Sequence, residues 1–103
     1  MDNESLYGYL FVHFIGESEL GEQIYIALSR DGMHWEDLNN RKPILLSTVG
    51  EQGVRDPFLL RSADGGRFYL LATDLCIYRR GGWHQAEATT TGSRSLVVWE
   101  SNN

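Results

Sequence analysis

A carboxylate stands beside an arginine at the start of an apolar segment, in Arg55-Asp56-Pro57 followed by Phe58-Leu59-Leu60. Pro57 lacks a backbone donor and fits the first residues of a strand. One interpretation is a site carboxylate whose charge is held by Arg55 and whose position is fixed by the rigid start of a strand. The other is that Asp56 only caps a loop.

The elements that would position this pair are strands. Short segments rich in Tyr, Phe, Val, Ile and Leu alternate with Gly, Asp and Asn clusters. The predicted strands are residues 6–14, 23–29, 55–61, 67–73 and 94–100, with a weaker sixth over 44–47. Residues 62–66 predict a hairpin turn, because Asp and Gly tolerate positive φ, so the strands on either side should be antiparallel neighbours. A strand-closing turn with a buried Trp35 is predicted over 29–35.

A faint internal repeat sets the expected architecture. Residues 9–12 resemble 69–72, and residues 26–29 resemble 98–101. Repeated antiparallel units of this size predict propeller blades, which stack because a single sheet cannot bury its own apolar surface. We therefore expect an all-β, antiparallel β-propeller fragment of roughly two blades, an incomplete one over about 1–50 and a truncated one over 51–103. The chain starts inside one unit and stops after a strand, so both ends are expected to be cut.

Composition excludes several classes of partner. Fourteen acidic and nine basic residues give a net charge of −5, which repels phosphate backbones and anionic lipid, so we expect neither nucleic acid nor membrane as a partner. No signal-peptide pattern opens the chain, which favours a cytoplasmic location if Met1 is the true start. Cys76 is the only cysteine, so we expect a buried structural thiol and neither an internal disulfide nor a cysteine-rich zinc site. No metal and no cofactor are expected. The oligomeric state stays open.

Three stretches resemble glycoside hydrolase family 43 in their residues and their order: 55–61 with Asp64-Gly65 and 68–74, 24–29 with Asp31-Gly32 and Trp35, and 92–101. The resemblance spans nearly the whole chain. It implies a five-bladed propeller that hydrolyses arabinosides, xylosides and some galactosides with inversion. Such enzymes use two catalytic carboxylates and a third that orients the acid and tunes its pKa. The family's general-acid Glu lies in a later blade and is absent from this chain.

Strand alternation brings the candidate side chains to one end of the sheets: Asp56, Asp74, Arg94, His13 and, from the loop 75–93, Trp83. Aromatic faces stack on sugar rings, so Trp83 can form one wall of a subsite, or else pack on its own loop. Asp74 should either touch substrate or bond backbone amides, and His13 should either bind substrate or pack at its strand end. With Arg55, these are the candidate substrate-binding residues.

Asp56 is the candidate catalytic residue, either as the general base or as the family's pKa-tuning Asp. Arg55 beside it would weaken its basicity, which favours tuning. Inversion needs two carboxyls ~6.5 to 9.5 Å apart, and this chain supplies one, so we expect it to be inactive alone.

The leading hypothesis is part of an inverting glycosidase acting on arabinose-, xylose- or galactose-containing polysaccharides or oligosaccharides, with α-L-arabinofuranosides favoured. The first alternative is a noncatalytic carbohydrate-binding or scaffold β-propeller, which would keep the fold without the chemistry. The second is a small autonomous β-sandwich that makes protein contacts.

Overall fold

The computed structural model describes residues 8–102, whose strands form two antiparallel three-stranded sheets. The first sheet contains β1 (Tyr9–His13), β2 (Tyr25–Ser29) and β3 (Glu36–Asp37), in that order. The second contains β4 (Val54–Arg61), β5 (Phe68–Asp74) and β6 (Leu96–Ser101). A turn over Asn39–Arg41 follows β3, and a short helix, α1 (Glu87–Thr90), precedes β6. The predicted all-β class is confirmed. No helix within residues 8–102 is long and apolar enough to cross a membrane.

Most predicted strands lie within two residues of the observed ones, although residues 6 and 7 of the first prediction fall outside the described part. The predicted strand over 44–47 is wrong. Only an isolated bridge between Ile24 and Leu45 forms there. The pairing does not continue as far as Ser47, because the Ser47 amide donates to the side-chain Oε1 of Gln23 at 2.7 Å and not to a backbone carbonyl. The third strand of this sheet is β3, which pairs with β2.

The hairpin between β4 and β5 is confirmed. The Ser62 amide donates to the Arg67 carbonyl at 2.8 Å, and the Gly65 amide donates back to Ser62 at 2.9 Å. Asp64 Oδ1 accepts the Gly66 amide at 2.8 Å, which is the local side-chain bond that favours Asp in turns. These short-range bonds make β4 and β5 antiparallel neighbours.

Strand β4 carries a bulge at its start. Arg55 pairs with Thr73 and Phe58 with Leu71, so two residues of β4 face a single residue of β5. Asp56 lies in the bulge with φ 51°, a left-handed conformation in which Asp and Asn are enriched among non-glycine residues. Pro57 follows and has no N–H to leave unpaired. The bulge leaves Asp56 exposed at the end of the sheet.

The core lies between the two sheets. Its buried members are Ile24, directly before β2, and four residues of the second sheet: Val54, Leu70, Ala72 and Val97. Val12 and Ile26 of the first sheet pack against them and are partly buried. Side chains alternate across a strand, so the neighbours of these residues point away from the core. On the second sheet that outer face is apolar and exposed, and it contains Phe58, Leu60, Leu96 and Val98.

The predicted burial of Trp35 is wrong, because its side chain is 46% exposed. The ring packs edge-on against Phe11, with 5.8 Å between centroids, and Phe11 is itself exposed on β1. The turn is closed instead by Asp31, whose Oδ1 accepts the amides of Met33 and His34 at 2.8 Å. These bonds, above all those from His34, hold the pKa of the Asp31 carboxyl well below its usual range.

Gly50 provides a test of how tightly the ends of the second sheet are packed. Its φ is 57°, and a Cβ added there would lie well inside contact distance of the Asp74 carboxylate. We expect Gly50→Ala to lower the free energy of unfolding by about 2 kcal/mol or more, because left-handed strain and a clash add. Chemical denaturation measures the change. Gly92→Ala is the control, since open space surrounds that position, and equal losses in the two variants would contradict the packing.

Candidate functional site

The ends of several strands meet in one region. Val54 at the start of β4 pairs with Asp74 at the end of β5, and Thr73 pairs with Leu96 at the start of β6. The Val54 amide also donates to the Glu22 carbonyl at 2.7 Å, just before β2, which joins the two sheets at this end. We call this region the rim: residues 13–24, 49–56 and 74–95.

The carboxylate of Glu22 is buried at the rim, with 1% of the residue exposed. Its Oε1 accepts the Tyr78 amide at 2.8 Å and the Cys76 thiol at 3.6 Å. Its Oε2 accepts the Ile77 amide at 2.8 Å and Arg55 Nη1 at 2.9 Å. Two donors on each oxygen fill the acceptor sites of a carboxylate, which is what a buried charge requires.

Sequence reasoning did not single out Glu22. Its local signal is an acidic residue directly before an apolar strand, which is a pattern that many solvated turns share. Its partners lie 33 residues away at Arg55 and 55 residues away at Ile77, so local pattern could not identify them.

Arg55 connects Glu22 to the aromatic side of the rim. Its Nη1 lies 3.4 Å from the Glu17 carboxylate. Its Cζ lies 4.4 Å from the centre of the Phe14 ring and 5.1 Å from that of Trp83, within the range of cation–π attraction. The Trp83 Nε1 donates to the Glu17 carboxylate, and this bond, with the charge of Arg55, lowers the pKa of Glu17.

Arg55 does not hold the charge of Asp56, so that prediction is wrong. Its ion pairs are with Glu17 and Glu22, and within residues 8–102 Asp56 forms no ion pair. Successive side chains of a strand point to opposite faces, and the bulge turns the backbone further at Asp56. The argument that Arg55 weakens the basicity of Asp56 therefore has no ion pair to support it within residues 8–102.

Asp74 is engaged by the protein itself. It is buried, and its Oδ1 accepts the Glu51 amide at 2.8 Å. This position favours the backbone-bonding alternative over direct contact with substrate, although the amide belongs to the segment before β4 and not to the loop after β5.

A second acid–arginine pair holds the loop that follows β5. Glu51 accepts Arg80 Nε at 2.8 Å and Nη2 at 2.6 Å, and its Oε1 also accepts the Cys76 amide at 3.1 Å. Arg80 Nη1 donates to the carbonyls of Glu87 and Thr91 at 2.6 Å. The pair thereby joins both ends of the loop to the segment before β4.

The other predicted substrate-binding residues differ in whether they are packed or exposed. His13 stacks on Phe11, with ring centroids 4.6 Å apart, and lies 5.8 Å from Tyr25, which favours the packed alternative. Arg94 is exposed in the segment before β6. Trp83 is half exposed at the rim. The structure thus brings Arg55 and Trp83 together and leaves Asp56 and Arg94 exposed.

Cys76 is buried, as predicted, and burial raises the pKa of its thiol. In the part of the chain that the structure describes, no group of three or more His, Cys, Asp or Glu side chains could hold a metal ion. At the rim the Asp56 carboxylate is exposed, and Trp83 is half exposed.

Comparison with known proteins identifies the family of the chain. A family model of the family 43-related group, described as "Probable glycosyl hydrolase domain", matches residues 4–103. The chain is also 36% identical over 98 residues to an α-L-arabinofuranosidase of Bifidobacterium longum subsp. longum. That alignment covers 93% of the chain and 9% of the relative, so the chain spans less than a tenth of its length. No solved structure gives a significant match. The chain belongs to this glycosyl hydrolase family, and its resemblance to family 43 is confirmed.

The Glu51–Arg80 pair predicts an acid-sensitive fold. Hydrogen bonds from Arg80 lower the pKa of Glu51 below its usual 4.5. A group with a depressed folded pKa stabilises the fold above its unfolded pKa, and that stabilisation is lost as the pH falls through the folded value. We therefore expect the Tm of the wild-type protein to decrease as the pH is lowered below about 4.5. The Tm of Glu51→Gln should decrease less over the same pH range.

Thermal melts of wild type and Glu51→Gln at neutral and acidic pH measure this difference. Wild type should be more stable at neutral pH, and the two Tm values should converge in acid. Glu19→Gln is the control, because Glu19 is an exposed acid of the same rim. The same acid dependence in Glu51→Gln and wild type would contradict the assigned pairing.

Proposed function

We propose that this chain is part of an inverting glycoside hydrolase that acts on arabinose-containing glycans, with terminal α-L-arabinofuranosides as the first substrates to test. The observation that carries the proposal is the 36% identity, over 93% of the chain, to an α-L-arabinofuranosidase. Xylose- and galactose-containing glycans belong to the same proposal, since the resemblance to family 43 implies them equally. The remaining catalytic groups come from outside these residues.

The two sheets are proposed to be parts of two blades of a five-bladed propeller, with the boundary near residue 50. Both sheets are antiparallel with their strands in chain order, and the core lies between them. The exposed apolar outer face of the second sheet supports a further stacked layer, because blades bury their faces against one another.

Asp56 is the proposed catalytic carboxylate of this chain. Inversion needs one carboxyl to protonate the leaving oxygen and another to activate water, ~6.5 to 9.5 Å apart. Exposure, a strand bulge and left-handed backbone support a functional role, since bulges and strained residues cluster at active sites. The general-base and pKa-tuning roles both remain open, because Arg55 pairs elsewhere.

Trp83 is the proposed sugar platform. Its side chain is 49% exposed, while its indole N–H is held by Glu17 and its ring lies against Arg55. A ring already fixed in orientation loses little conformational entropy when a sugar stacks on it. The pairs beneath the ring therefore support a preformed subsite.

A noncatalytic carbohydrate-binding propeller is the second candidate. One observation favours it: the other carboxylates that the rim packs around its loop are engaged by protein donors, namely Glu17, Glu22, Glu51 and Asp74. Under this alternative, sugar binding would persist without turnover.

Trp83→Ala in the complete protein tests the subsite. Loss of one stacking contact should raise KM for an aryl α-L-arabinofuranoside by about 2- to 12-fold, with kcat nearly unchanged. Steady-state kinetics and thermal melts separate binding from folding. Trp35→Ala is the matched control, because Trp35 is equally exposed but lies on the turn after β2. A lower Tm with KM intact would place Trp83 in the packing of the loop and reject the subsite.

Asp56→Asn in the complete protein tests the catalytic assignment. The change removes the charge, and Asn also tolerates the left-handed backbone, so stability should change little. We expect kcat/KM to fall by at least ~10²-fold, the scale of lost acid–base chemistry. Asp64→Asn, in the hairpin at the opposite end of the sheet, is the control.

The pH profile of Asp56→Asn distinguishes the two roles. A lost base removes the acidic limb, whereas a lost pKa tuner moves the basic limb to lower pH, because the acid loses a neighbouring negative charge. Turnover near wild type with an unchanged profile would make Asp56 a structural cap. Sugar binding without any wild-type turnover would favour the noncatalytic propeller.

A further inference from the structure

Glu22 is a buried carboxylate that the proposed chemistry does not use, yet it joins three distant segments. It lies just before β2, 33 residues from Arg55 on β4 and 54 to 56 residues from its partners on the loop after β5. With 1% of the residue exposed, its charge depends entirely on these donors. A group so placed fixes the segments relative to one another.

The start of the loop presents three successive backbone amides to carboxylates. The Cys76 amide donates to Glu51 at 3.1 Å, and the amides of Ile77 and Tyr78 donate to Glu22 at 2.8 Å. Successive N–H groups of this kind form a concave anion-binding surface. Here the anions are side chains of the protein, so the loop start is held from both sides.

Two connections lead from Glu22 to Trp83. In the first, Glu22 binds Arg55, whose guanidinium lies 5.1 Å from the centre of the Trp83 ring. In the second, Glu22 holds Ile77, whose carbonyl accepts the Gly82 amide at 2.9 Å. Gly82 has φ 102°, which suits glycine, and directly precedes Trp83. The Glu22 carboxylate is thus connected both to Arg55, which lies against the Trp83 ring, and to the backbone that leads into Trp83.

We propose that Glu22 is a positioning residue that fixes the loop 75–93 and Arg55 to each other and so sets the orientation of Trp83 for sugar binding. The consequence for sugar binding rests on the proposed function, whereas the hold on the loop does not. Glu22 itself touches no sugar and no reacting atom.

Glutamine at this position reveals the role, because it keeps the shape and removes the charge. In glutamine, an NH₂ group takes the place of one of the two carboxylate oxygens. That NH₂ is itself a donor, and it would face donors that bind the Glu22 oxygen in the wild-type protein. With its oxygen kept toward Ile77 and Arg55, the NH₂ meets the Tyr78 amide, which is left without an acceptor. The Tyr78 bond is partly buried, so the loss of its acceptor costs at most what it costs in a buried amide, about 1 to 3 kcal/mol, which corresponds to roughly 5- to 150-fold faster local opening.

The experiment is Glu22→Gln in the complete protein, with hydrogen exchange, kinetics and thermal melts measured together. Exchange of the peptide containing residues 76–78 should become about 10-fold faster or more. KM for the aryl arabinoside should rise as in Trp83→Ala. In the double variant Glu22→Gln/Trp83→Ala, KM should be close to that of Trp83→Ala alone, because Glu22 acts through the ring.

Glu17→Gln is the matched control for the loop. Glu17 contacts Arg55 and Trp83 but not the amides of residues 76–78, so exchange there should stay at the wild-type rate. If Glu22→Gln lowers the Tm while KM and exchange at 76–78 stay unchanged, the positioning role is overturned. Independent, additive KM effects in the double variant would overturn it as well.

If the Glu22→Gln variant does not fold, two further measurements test the proposal. Wild-type exchange at Ile77 and Tyr78 must be slow, and fast exchange there rejects the proposal. Glu22→Asp keeps the charge but shortens the reach, so it should raise KM, and a wild-type KM in this variant counts against the role. If Trp83→Ala leaves KM unchanged, the subsite proposal is rejected. Amide hydrogen exchange at residues 76–78, compared between Glu22→Gln and Glu17→Gln, still decides whether Glu22 holds the loop.

Discussion

The rim is organised around a negative charge that has been taken out of water. The Glu22 carboxylate is buried, and it is stable there because two backbone amides, a thiol and a guanidinium donate to it. Removal of one partner from a buried ion pair typically costs about 3 to 5 kcal/mol, since the other charge remains without compensation. The path of the chain before β2, the start of β4 and the turn after β5 are therefore constrained together.

A second carboxylate repeats this arrangement nearby. Glu51 receives the Cys76 amide and two bonds from Arg80, which itself donates to carbonyls around α1. The loop after β5 is thereby fixed at its start by both glutamates and along its length by Arg80. A loop held by paired charges can keep one conformation without a large apolar core of its own, and this suits the proposed role of Trp83 as a sugar platform.

These pairings divide the acidic residues of the rim into two groups. Glu17, Glu22, Glu51 and Asp74 accept bonds from the protein, whereas Asp56 on its bulge is exposed, as are Glu19 and Glu87. The exposure of Asp56 is consistent with its proposed catalytic role, because a carboxylate that reacts must remain accessible. The Glu17 pairing holds Trp83, and the residue is half exposed.

The sequence by itself determined the features that depend on neighbouring residues. Short apolar and aromatic segments between Gly, Asp and Asn clusters predicted β4, β5 and β6. Asp64 and Gly65 predicted the hairpin, and the ordered motifs around Arg55-Asp56-Pro57 predicted the family. Only the tertiary structure decided which carboxylates Arg55 binds, that Trp35 is exposed, and that Glu22 is buried. The physical reason is distance along the chain: a charge is buried or solvated according to donors that packing brings from 33 to 56 residues away, and no local pattern records them.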